Sequence, residues 1–175
     1  MAQSTIGIAG LEPITTAIAR RLAESGMRVL VHDRQPDRSA ALAAYRPRIE
    51  IAGSLADIGA ECSEVIVWRP TLDALGEAVF GSPDRSGLGH EMAPGSLIID
   101  MSPGSPAVPP RLQGALGQRA IGVVDAGILS GDAATALDGR LDIALGGFEA
   151  FVERAAGLLL PRGRIHRTGG LGTAR

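Results

Sequence analysis

Six consecutive residues near the start of the chain have the types and spacing to hold an anion. The stretch GLEPIT, residues 10–15, follows a short apolar run at residues 5–9 and leads into a segment with helical periodicity at residues 13–25. The first N–H groups of a helix have no acceptor inside the helix, and they favour negative charge. A strand, a turn opened by Gly10 and a helix in this order predict a dinucleotide-binding turn, which normally carries glycine at its first, third and sixth positions.

Glu12 and Thr15 occupy the positions of the second and third glycines in this turn. The second glycine lets the backbone approach a pyrophosphate, and the third lets the helix pack against the strand. A carboxylate about 5 Å from a phosphate charge costs about 3 kcal/mol per charge pair at an effective dielectric constant of roughly 20, before solvent screening. Two interpretations of Glu12 are open. It is either a solvent-facing carboxylate that favours the helix dipole, or a functional group that fills the phosphate site or transfers protons.

Asp33 and Arg34 follow the next apolar run, residues 28–32. In a dinucleotide-binding unit, a carboxylate at this place holds the ribose hydroxyls, and an arginine favours a 2′-phosphate. The alternative interpretation is that the two residues simply end the strand in a polar loop.

Short apolar runs alternate with helical patterns along the rest of the chain. The predicted strands are residues 5–9, 28–32, 48–51, 64–68, 96–100, 120–125, 141–145 and 164–166. The predicted helices are residues 13–25, 39–45, 54–59, 71–80, 106–117 and 148–160. This alternation predicts an α/β fold, a doubly wound and mainly parallel Rossmann-like sheet with helices on both faces. No linker or repeat divides the sequence, so we expect one domain over residues 1–175.

The composition argues against several classes of protein. The formal charge is −2, and the 17 basic residues are all arginine without an evident cluster, so no nucleic-acid partner is expected. No apolar run approaches the ~18 residues of a membrane span, and the start lacks a signal-peptide pattern. The single Cys62 rules out an internal disulfide, so we expect a cytoplasmic protein without membrane contact. His32, His90 and His166 are far apart in sequence, and no metal site is expected.

Four later segments extend the pattern: VIVWRP at residues 65–70, IIDMSPGSP at residues 98–106, VVDAGILSGD at residues 123–132 and GGLGTA at residues 169–174. Together with the opening run at residues 6–34, they resemble the nucleotide-binding domain of the β-hydroxyacid dehydrogenase family, which includes 6-phosphogluconate and 3-hydroxyisobutyrate dehydrogenases. The segments are also similar to imine reductases. The resemblance covers nearly the whole chain, and it implies an oxidoreductase that uses NADP or NAD.

The resemblance also implies binding residues at matching positions. The cofactor-binding residues would be Gly10, Leu11, Glu12, Pro13, Ile14, Asp33, Arg34, Trp68, Arg69, Pro70 and Ser102. The substrate-binding residues would be Ser130 and Gly131. Plainer roles stay open for three of them: Trp68 closes a core edge instead of stacking on adenine, Ser102 caps a turn instead of touching the nicotinamide, and Ser130 hydrogen-bonds its own loop.

Three departures from the family pattern bear on activity. Glu12 stands in the cofactor turn, and Asp132 replaces a glycine of the substrate loop. The family's catalytic lysine and its neighbouring asparagine lie on a long helix just beyond the GGxG segment, whereas this sequence contains neither residue type and reaches Arg175. The resemblance therefore implies that the family's helical second domain is absent from residues 1–175.

These departures leave three hypotheses about function. The first is an NAD(P)-dependent oxidoreductase without the family's lysine. The second is a non-catalytic, degenerate Rossmann-like binding module whose cofactor site is lost. The third is a cofactor-independent enzyme that uses the vacated cleft, with Glu12, Ser130 or Asp132 as the catalytic residue. A homo-oligomer or a partner subunit is expected on the surface that the helical domain covers in the family.

Overall fold

The computed structural model describes residues 5–45, 47–104, 108–159 and 163–174. Its strands, in chain order, are β1 (Thr5–Ala9), β2 (Arg28–His32), β3 (Ile49–Ile51), β4 (Glu64–Val67), β5 (Gly81–Ser82), β6 (Arg85–Ser86), β7 (Leu97–Asp100), β8 (Gly122–Ser130), β9 (Asp142–Gly147) and β10 (Arg164–Gly169). Its helices are α1 (Pro13–Glu24), α2 (Pro36–Tyr45), α3 (Leu55–Glu61), α4 (Leu72–Phe80), α5 (Leu88–Glu91), α6 (Val108–Gly117), α7 (Ala133–Leu137) and α8 (Glu149–Leu159). Within these described ranges, no helix is both long and apolar enough to cross a membrane.

Eight strands form one sheet in the order β10-β9-β8-β7-β4-β1-β2-β3. Neighbouring strands in this sheet are parallel except β8 and β9, which are antiparallel. The chain winds outward from β1 in one direction through β2 and β3, and in the other through β4 and β7. Such a reversal leaves a crevice at the carboxyl ends of the central strands. The expected mainly parallel, Rossmann-like α/β fold is confirmed.

Two hydrophobic clusters lie on the two faces of the sheet, and β4 alternates between them. Ile66 belongs to the cluster that contains residues of α1 and α8, whereas Val65 and Val67 belong to the cluster with residues of α3, α4 and α6. The alternation continues past the end of the strand, since side chains of extended residues point to opposite faces in turn. Trp68 packs against the first cluster, and Arg69 lies beside residues of α3 and α4.

Two segments contain more regular structure than the sequence predicts. The prediction that a glycine-rich connection follows residue 125 is wrong, because β8 continues to Ser130 by antiparallel pairing with β9, and α7 follows it. The expected loop between α4 and β7 contains the β5–β6 hairpin and the short helix α5. The predicted helix start at residue 106 and helix end at residue 160 lie outside the described residues.

Candidate functional site

The turn after β1 is built around Gly10. Its φ is +109°, a left-handed value that favours glycine. A Cβ atom at this position would stand 2.1 Å from the carbonyl oxygen of Trp68. The Gly10 N–H donates to the carbonyl oxygen of His32 at 2.9 Å. The turn is therefore fixed between the end of β2 and the end of β4.

Thr15 fastens the turn from within the first turn of α1. Its hydroxyl donates to the carbonyl oxygen of Gly10 at 2.8 Å and accepts from the N–H of Glu12 at 2.9 Å. The Thr15 side chain is buried. A residue larger than glycine is therefore tolerated at this position, because its hydroxyl hydrogen-bonds within the turn. Helix α1 begins with Pro13, which suits a first helical position because no N–H is left unpaired there.

The Glu12 side chain is held by Arg38 of α2. Its Oε1 accepts from Arg38 Nη1 at 2.9 Å, and the same Nη1 donates to the carbonyl oxygen of Leu11 at 3.0 Å. The hydrogen bond to Glu12 raises the pKa of Arg38 above its ordinary value. The carboxylate is therefore tied to α2, with 33% of the Glu12 side chain exposed, and Arg38 offsets its charge.

Asp33 connects the turn to the end of β2. Its Oδ2 accepts from the N–H of Leu11 at 2.7 Å, and its Oδ1 accepts from the N–H of Gln35 at 2.8 Å. Neither interpretation drawn from the sequence included this role. The contact with Leu11 spans 22 residues, and residue spacing alone gives no sign of it.

A polar cavity, termed here the Arg69 cavity, opens beside the ends of β2 and β4. Its volume is about 790 Å³. The titratable residues in its lining are His32, Arg34, Arg69, Glu77, Asp84 and Arg85. Asp33 is not part of this lining, and its carboxylate is already engaged by the two backbone N–H groups.

Arg69 is the most deeply buried charged residue of this lining, with 4% of it exposed. Its Nη1 donates to the carbonyl oxygen of Trp68 at 3.0 Å, whereas its Nη2 is buried and has no hydrogen-bond partner among the described residues. Burial lowers the pKa of this guanidinium. Buried polar groups in folded proteins are nearly always paired, so an incompletely bonded guanidinium calls for an explanation.

Two neighbours define the surroundings of Arg69. The Ser102 hydroxyl accepts from the Arg69 N–H at 2.9 Å, and this hydrogen bond joins the segments that follow β4 and β7. The Ser102 N–H donates to Asp100 Oδ1 at 2.9 Å. Burial, and next the charge of Arg69, lower the pKa of His32. The imidazole is therefore neutral near pH 7, and its Nδ1 is buried without a hydrogen-bond partner in the described part of the chain.

A second cavity, termed the Trp68 cavity, lies on the other side of the end of β4. Its volume is about 360 Å³. The lining residues are Glu12, Pro13, Ile14, Thr15, Trp68, Met101, Ile128, Gly131, Asp132 and Ala133. Trp68, Met101 and Ile128 give it an apolar wall, and Glu12 and Asp132 contribute two carboxylates.

Asp132 caps the short helix α7. Its Oδ1 accepts from the N–H of Thr135 at 2.9 Å and from the Thr135 hydroxyl at 2.8 Å. These hydrogen bonds lower the pKa of Asp132. The carboxyl group is therefore ionised at neutral pH and is a poor proton donor. Ser130 is exposed at the end of β8 and lines neither of the two cavities.

The predicted site residues lie along the carboxyl ends of the strands in two groups. Arg34 and Arg69 line the Arg69 cavity; Trp68, Gly131 and Asp132 line the Trp68 cavity. Pro70 and Ser102, like Ser130, are part of neither lining. The sequence did indicate that these residues fall into two groups. In an extended segment such as VIVWRP, the side chains of consecutive residues 68 and 69 point to opposite faces of the sheet.

Several lining or supporting residues were not predicted. They are His32, Arg38, Glu77, Asp84, Arg85, Met101 and Ile128. Arg38 acts from a helix 26 residues away from Glu12, and Arg85 lies on a hairpin that the sequence did not predict. Their placement depends on tertiary contacts that no local pattern encodes.

Other kinds of site find little support. Among the described residues, no group of three or more His, Cys, Asp or Glu side chains is arranged to hold a metal ion. Cys62 is buried in the cluster beside α3 and α4, and burial raises the pKa of its thiol to about 12. A thiol in this state is protonated and unreactive at neutral pH.

Solved structures share this architecture. A 3-hydroxyisobutyrate dehydrogenase from Salmonella typhimurium is 22% identical, with a TM-score of 0.84, and the match covers 98% of this chain and 58% of that chain. A 3-hydroxyisobutyrate dehydrogenase from Mycobacterium tuberculosis is 24% identical, with a TM-score of 0.84, and the match covers 99% of this chain and 57% of that chain. An imine reductase from Myxococcus stipitatus in complex with NADP+ is 18% identical, with a TM-score of 0.79, and the match covers 97% of this chain and 56% of that chain. At these identities the likeness shows the fold. The chain spans somewhat more than half the length of each of these proteins.

The sequence itself carries a more specific signal. The profile of the NAD-binding domain of 6-phosphogluconate dehydrogenase matches residues 5–169, a range that includes the turn and the linings of both cavities. The chain therefore belongs to the family of 6-phosphogluconate dehydrogenase NAD-binding domains.

Proposed function

We propose that this chain binds a nicotinamide dinucleotide for an oxidoreductase of the 6-phosphogluconate and 3-hydroxyisobutyrate dehydrogenase type. The observation that carries the proposal is the pair of unlike cavities on opposite sides of the end of β4. One is rich in arginine and the other has an apolar wall. A nicotinamide dinucleotide also has two unlike halves joined by a pyrophosphate: the adenosine half, which in NADP carries a further 2′-phosphate, and the nicotinamide half, which ends in the reactive ring. Ligands of this kind bind at the reversal point of a doubly wound sheet.

The residues present fit such a cofactor. Arg34, Arg69 and Arg85 line the Arg69 cavity, and a phosphate oxygen is a strong acceptor for a guanidinium. The turn at residues 10–15 starts with Gly10, which brings no side chain between the two cavities. The Glu12 carboxylate is paired with Arg38, which reduces its repulsion toward a pyrophosphate.

Each group of residues has a separate task in this proposal. A bound nicotinamide dinucleotide supplies hydride transfer. Arg34 and Arg69 hold its phosphorylated adenosine end. Trp68, Met101 and Ile128 exclude water from the nicotinamide end, which strengthens electrostatic interactions there.

Proton transfer falls to a group outside the two cavities. Asp132 is ionised as a helix cap, Glu12 is paired with Arg38, and the sequence contains no lysine. We therefore propose that a second copy of the chain or a partner subunit places an acid-base group at the Trp68 cavity. The same hydrogen bonds of Asp132 count against a cofactor-independent enzyme that uses this carboxyl as its proton donor.

A non-catalytic binding module is the second candidate. The observation that favours it is that both carboxylates of the Trp68 cavity are committed to other partners. Such a module would bind the dinucleotide without turnover. Reduction of NADP+ by a 3-hydroxy acid in the presence of the protein would support the oxidoreductase and exclude the module.

Thermal unfolding with and without ligand tests the shared claim of dinucleotide binding. The natural chain and Glu12→Gly are compared with NADPH, NADH and inorganic pyrophosphate. A ligand at 100 times its Kd stabilises the folded state by about 2.7 kcal/mol, which corresponds to a rise in Tm of roughly 5–10 °C for a chain of this size. We expect this rise for the natural chain with a dinucleotide and not with pyrophosphate. A response of Glu12→Gly alone would show that Glu12 blocks the turn, and no response of either protein would contradict the proposal.

A further inference from the structure

Helices α1 and α2 enclose an open groove, termed here the Arg20 groove. Its volume is about 510 Å³, within the roughly 300–1,000 Å³ that is typical of small-molecule sites. Its lining residues are Leu11, Glu12, Pro13, Thr16, Arg20, Arg38, Ala41, Leu42 and Tyr45. The lining residues of each helix lie three, four or seven positions after the first of them, so one side of each helix faces the groove.

Apolar side chains form the floor and one end of the Arg20 groove. Leu11 and Leu42 are 4% and 5% exposed, and both belong to the hydrophobic cluster that contains residues of α1. At the end of α2, the Tyr45 side chain is 64% exposed. The groove therefore offers a ligand a buried apolar floor and an aromatic ring that is in contact with solvent.

Arg20 supplies a positive charge beside this apolar surface. Its guanidinium carbon lies 4.7 Å from the centroid of the Tyr45 ring, in a cation–π contact. Among the described residues, Arg20 has neither a hydrogen-bond acceptor nor an ion-pair partner. Burial without a partner affects only its Nε, so its two terminal nitrogens remain accessible to a ligand atom. Stacking on Tyr45 thus positions a guanidinium whose terminal donors are available for binding.

The charges of the groove favour a monoanion. Glu12 and Arg38 are paired across 2.9 Å, so Arg20 leaves one positive charge in excess. A guanidinium binds a carboxylate through two parallel hydrogen bonds, whereas a dianion such as phosphate is repelled more strongly by the Glu12 carboxylate. Burial of the apolar floor favours a ligand that also has an aliphatic or aromatic body.

We propose that the Arg20 groove binds a small carboxylate with an aromatic or aliphatic body, which places its carboxylate on Arg20 and its body over Leu11 and Leu42. Arg20 lies seven residues after the start of α1, about 10 Å along the helix. It lines neither the Arg69 cavity nor the Trp68 cavity. The groove is therefore a second ligand site, which goes beyond the proposed function and does not depend on it.

Nuclear magnetic resonance titration of the ¹⁵N-labelled chain locates the binding and measures its affinity. The probe is 3-phenylpropionate. Its amide, 3-phenylpropanamide, has the same body without the charge, and acetate has the charge without the body. The first variant is Arg20→Gln, and its control is Arg111→Gln. Arg111 is exposed on α6, whose buried leucines belong to the hydrophobic cluster on the other face of the sheet.

A second pair of variants alters the groove without changing Arg20. Ala40 and Ala41 are neighbours on α2 and both are exposed, but only Ala41 lines the groove. Ala41→Glu introduces a carboxylate into the groove, and Ala40→Glu introduces the same charge outside it.

We expect 3-phenylpropionate to bind the natural chain at least about tenfold more tightly than the amide or acetate, with the largest shifts in the amide signals of residues that line the groove. Arg20→Gln should bind the acid and the amide equally, whereas Arg111→Gln should behave like the natural chain. Ala41→Glu should bind the acid at least about tenfold more weakly, and Ala40→Glu should bind it like the natural chain. Saturating NADPH should leave the affinity for the acid unchanged at physiological ionic strength, because charges about 10 Å apart are largely screened.

Four results would overturn the inference. They are equal affinity of the natural chain for the acid and the amide, largest shifts among residues that line the Arg69 cavity, displacement of the acid by NADPH, and an undiminished preference for the acid in folded Arg20→Gln. If Arg20→Gln does not fold, the second pair decides: equal affinity of Ala41→Glu and Ala40→Glu overturns the inference, and weaker binding by Ala41→Glu alone supports it. If the natural chain binds neither NADPH nor NADH, the proposed function fails, and the comparison of the acid with the amide still decides whether the groove is a site.

Discussion

The Glu12 carboxylate stands where a dinucleotide-binding turn normally has glycine, and Arg38 donates to it from α2. Because Arg38 Nη1 also donates to the carbonyl oxygen of Leu11, one guanidinium both offsets the charge and supports the turn. Glu12 is part of the lining of the Trp68 cavity, whereas Arg38 is not. The substitution therefore changes the charge beside the turn less than the sequence suggested.

Neutralising Arg38 and neutralising Glu12 should change dinucleotide affinity in opposite directions. In Arg38→Gln the Glu12 charge is left unpaired beside the pyrophosphate path, and we expect binding about two- to fivefold weaker at low salt. In Glu12→Gln the repulsion is removed, and we expect binding tighter by a similar factor. Titration calorimetry with NADPH at low and high salt measures both effects, which should shrink as salt screens them.

The double variant is the matched control for this prediction. Once Glu12 is neutral, Arg38→Gln removes only the hydrogen bond to the Leu11 carbonyl, so Glu12→Gln/Arg38→Gln should bind closer to Glu12→Gln than the sum of the two single effects. Strictly additive effects in the double variant would show that the two residues act independently and would contradict the account of the pair.

At the residue scale, the sequence was informative about positions and silent about partners. It drew attention to Glu12, Asp33 and Arg69, which the structure places beside the turn. It gave no indication that Asp33 binds the Leu11 N–H or that Arg38 binds Glu12, since these contacts join residues 22 and 26 apart. Hydrogen bonds of this kind depend on how helices and strands pack, which local patterns do not record.

At the scale of elements, α7 shows how a loop motif becomes structure. Asp132 accepts from the N–H and the hydroxyl of Thr135, and the helix that it caps lies against α1. Asp132, which stands where the family has a glycine, therefore caps a helix whose first residue, Ala133, lines the Trp68 cavity. The sequence did not predict α7, because five helical residues carry too weak a periodic signal.

The cap gives the protein a pH-dependent contribution to stability. The pKa of Asp132 is lowered in the folded state, so its contribution is complete above the ordinary aspartate pKa of about 3.9 and is lost as the pH falls through the lowered value. We expect Asp132→Ala to lower Tm by about 2–4 °C at pH 7. Thermal unfolding between pH 7 and pH 3 should show this difference narrow toward the acid end.

Asp132→Asn is the control for the titration. Asparagine also caps helices but does not ionise, so its deficit should be smaller than that of alanine at pH 7. A difference between the natural chain and Asp132→Ala that grows on acidification would contradict the role of the ionised cap.

The larger elements were predictable to the extent that their signals were local. The periodic helices and the apolar parallel strands predicted the fold class, because the spacing of apolar residues in each segment indicates which face of that helix or strand is buried. The extension of β8 was missed because residues 126–130 owe their strand conformation to antiparallel pairing with β9. The β5–β6 hairpin was missed because each of its strands has only two residues.

At the scale of the whole molecule, the sheet order places the two cavities on opposite faces at the end of one strand. β4 lies next to β1 on one side and β7 on the other, so the turn, Ser102 and the Trp68–Arg69 pair meet at one edge. This arrangement is what a ligand with two chemically different ends requires. The solved dehydrogenases and the imine reductase that share the fold are longer than this chain.

Energy transfer from Trp68 to a reduced nicotinamide tests whether a dinucleotide binds at the Trp68 cavity. Trp68 is the single tryptophan of the chain and lines the cavity assigned to the nicotinamide, so a reduced nicotinamide bound there would be an efficient acceptor of its emission. We expect saturating NADPH to quench Trp68 emission and sensitised emission from the reduced nicotinamide to appear. Adenosine 5′-diphosphate, which has no nicotinamide, should produce no sensitised emission. Tryptophan emission that is unaffected by both NADPH and NADH at concentrations that saturate the protein by calorimetry would contradict the account.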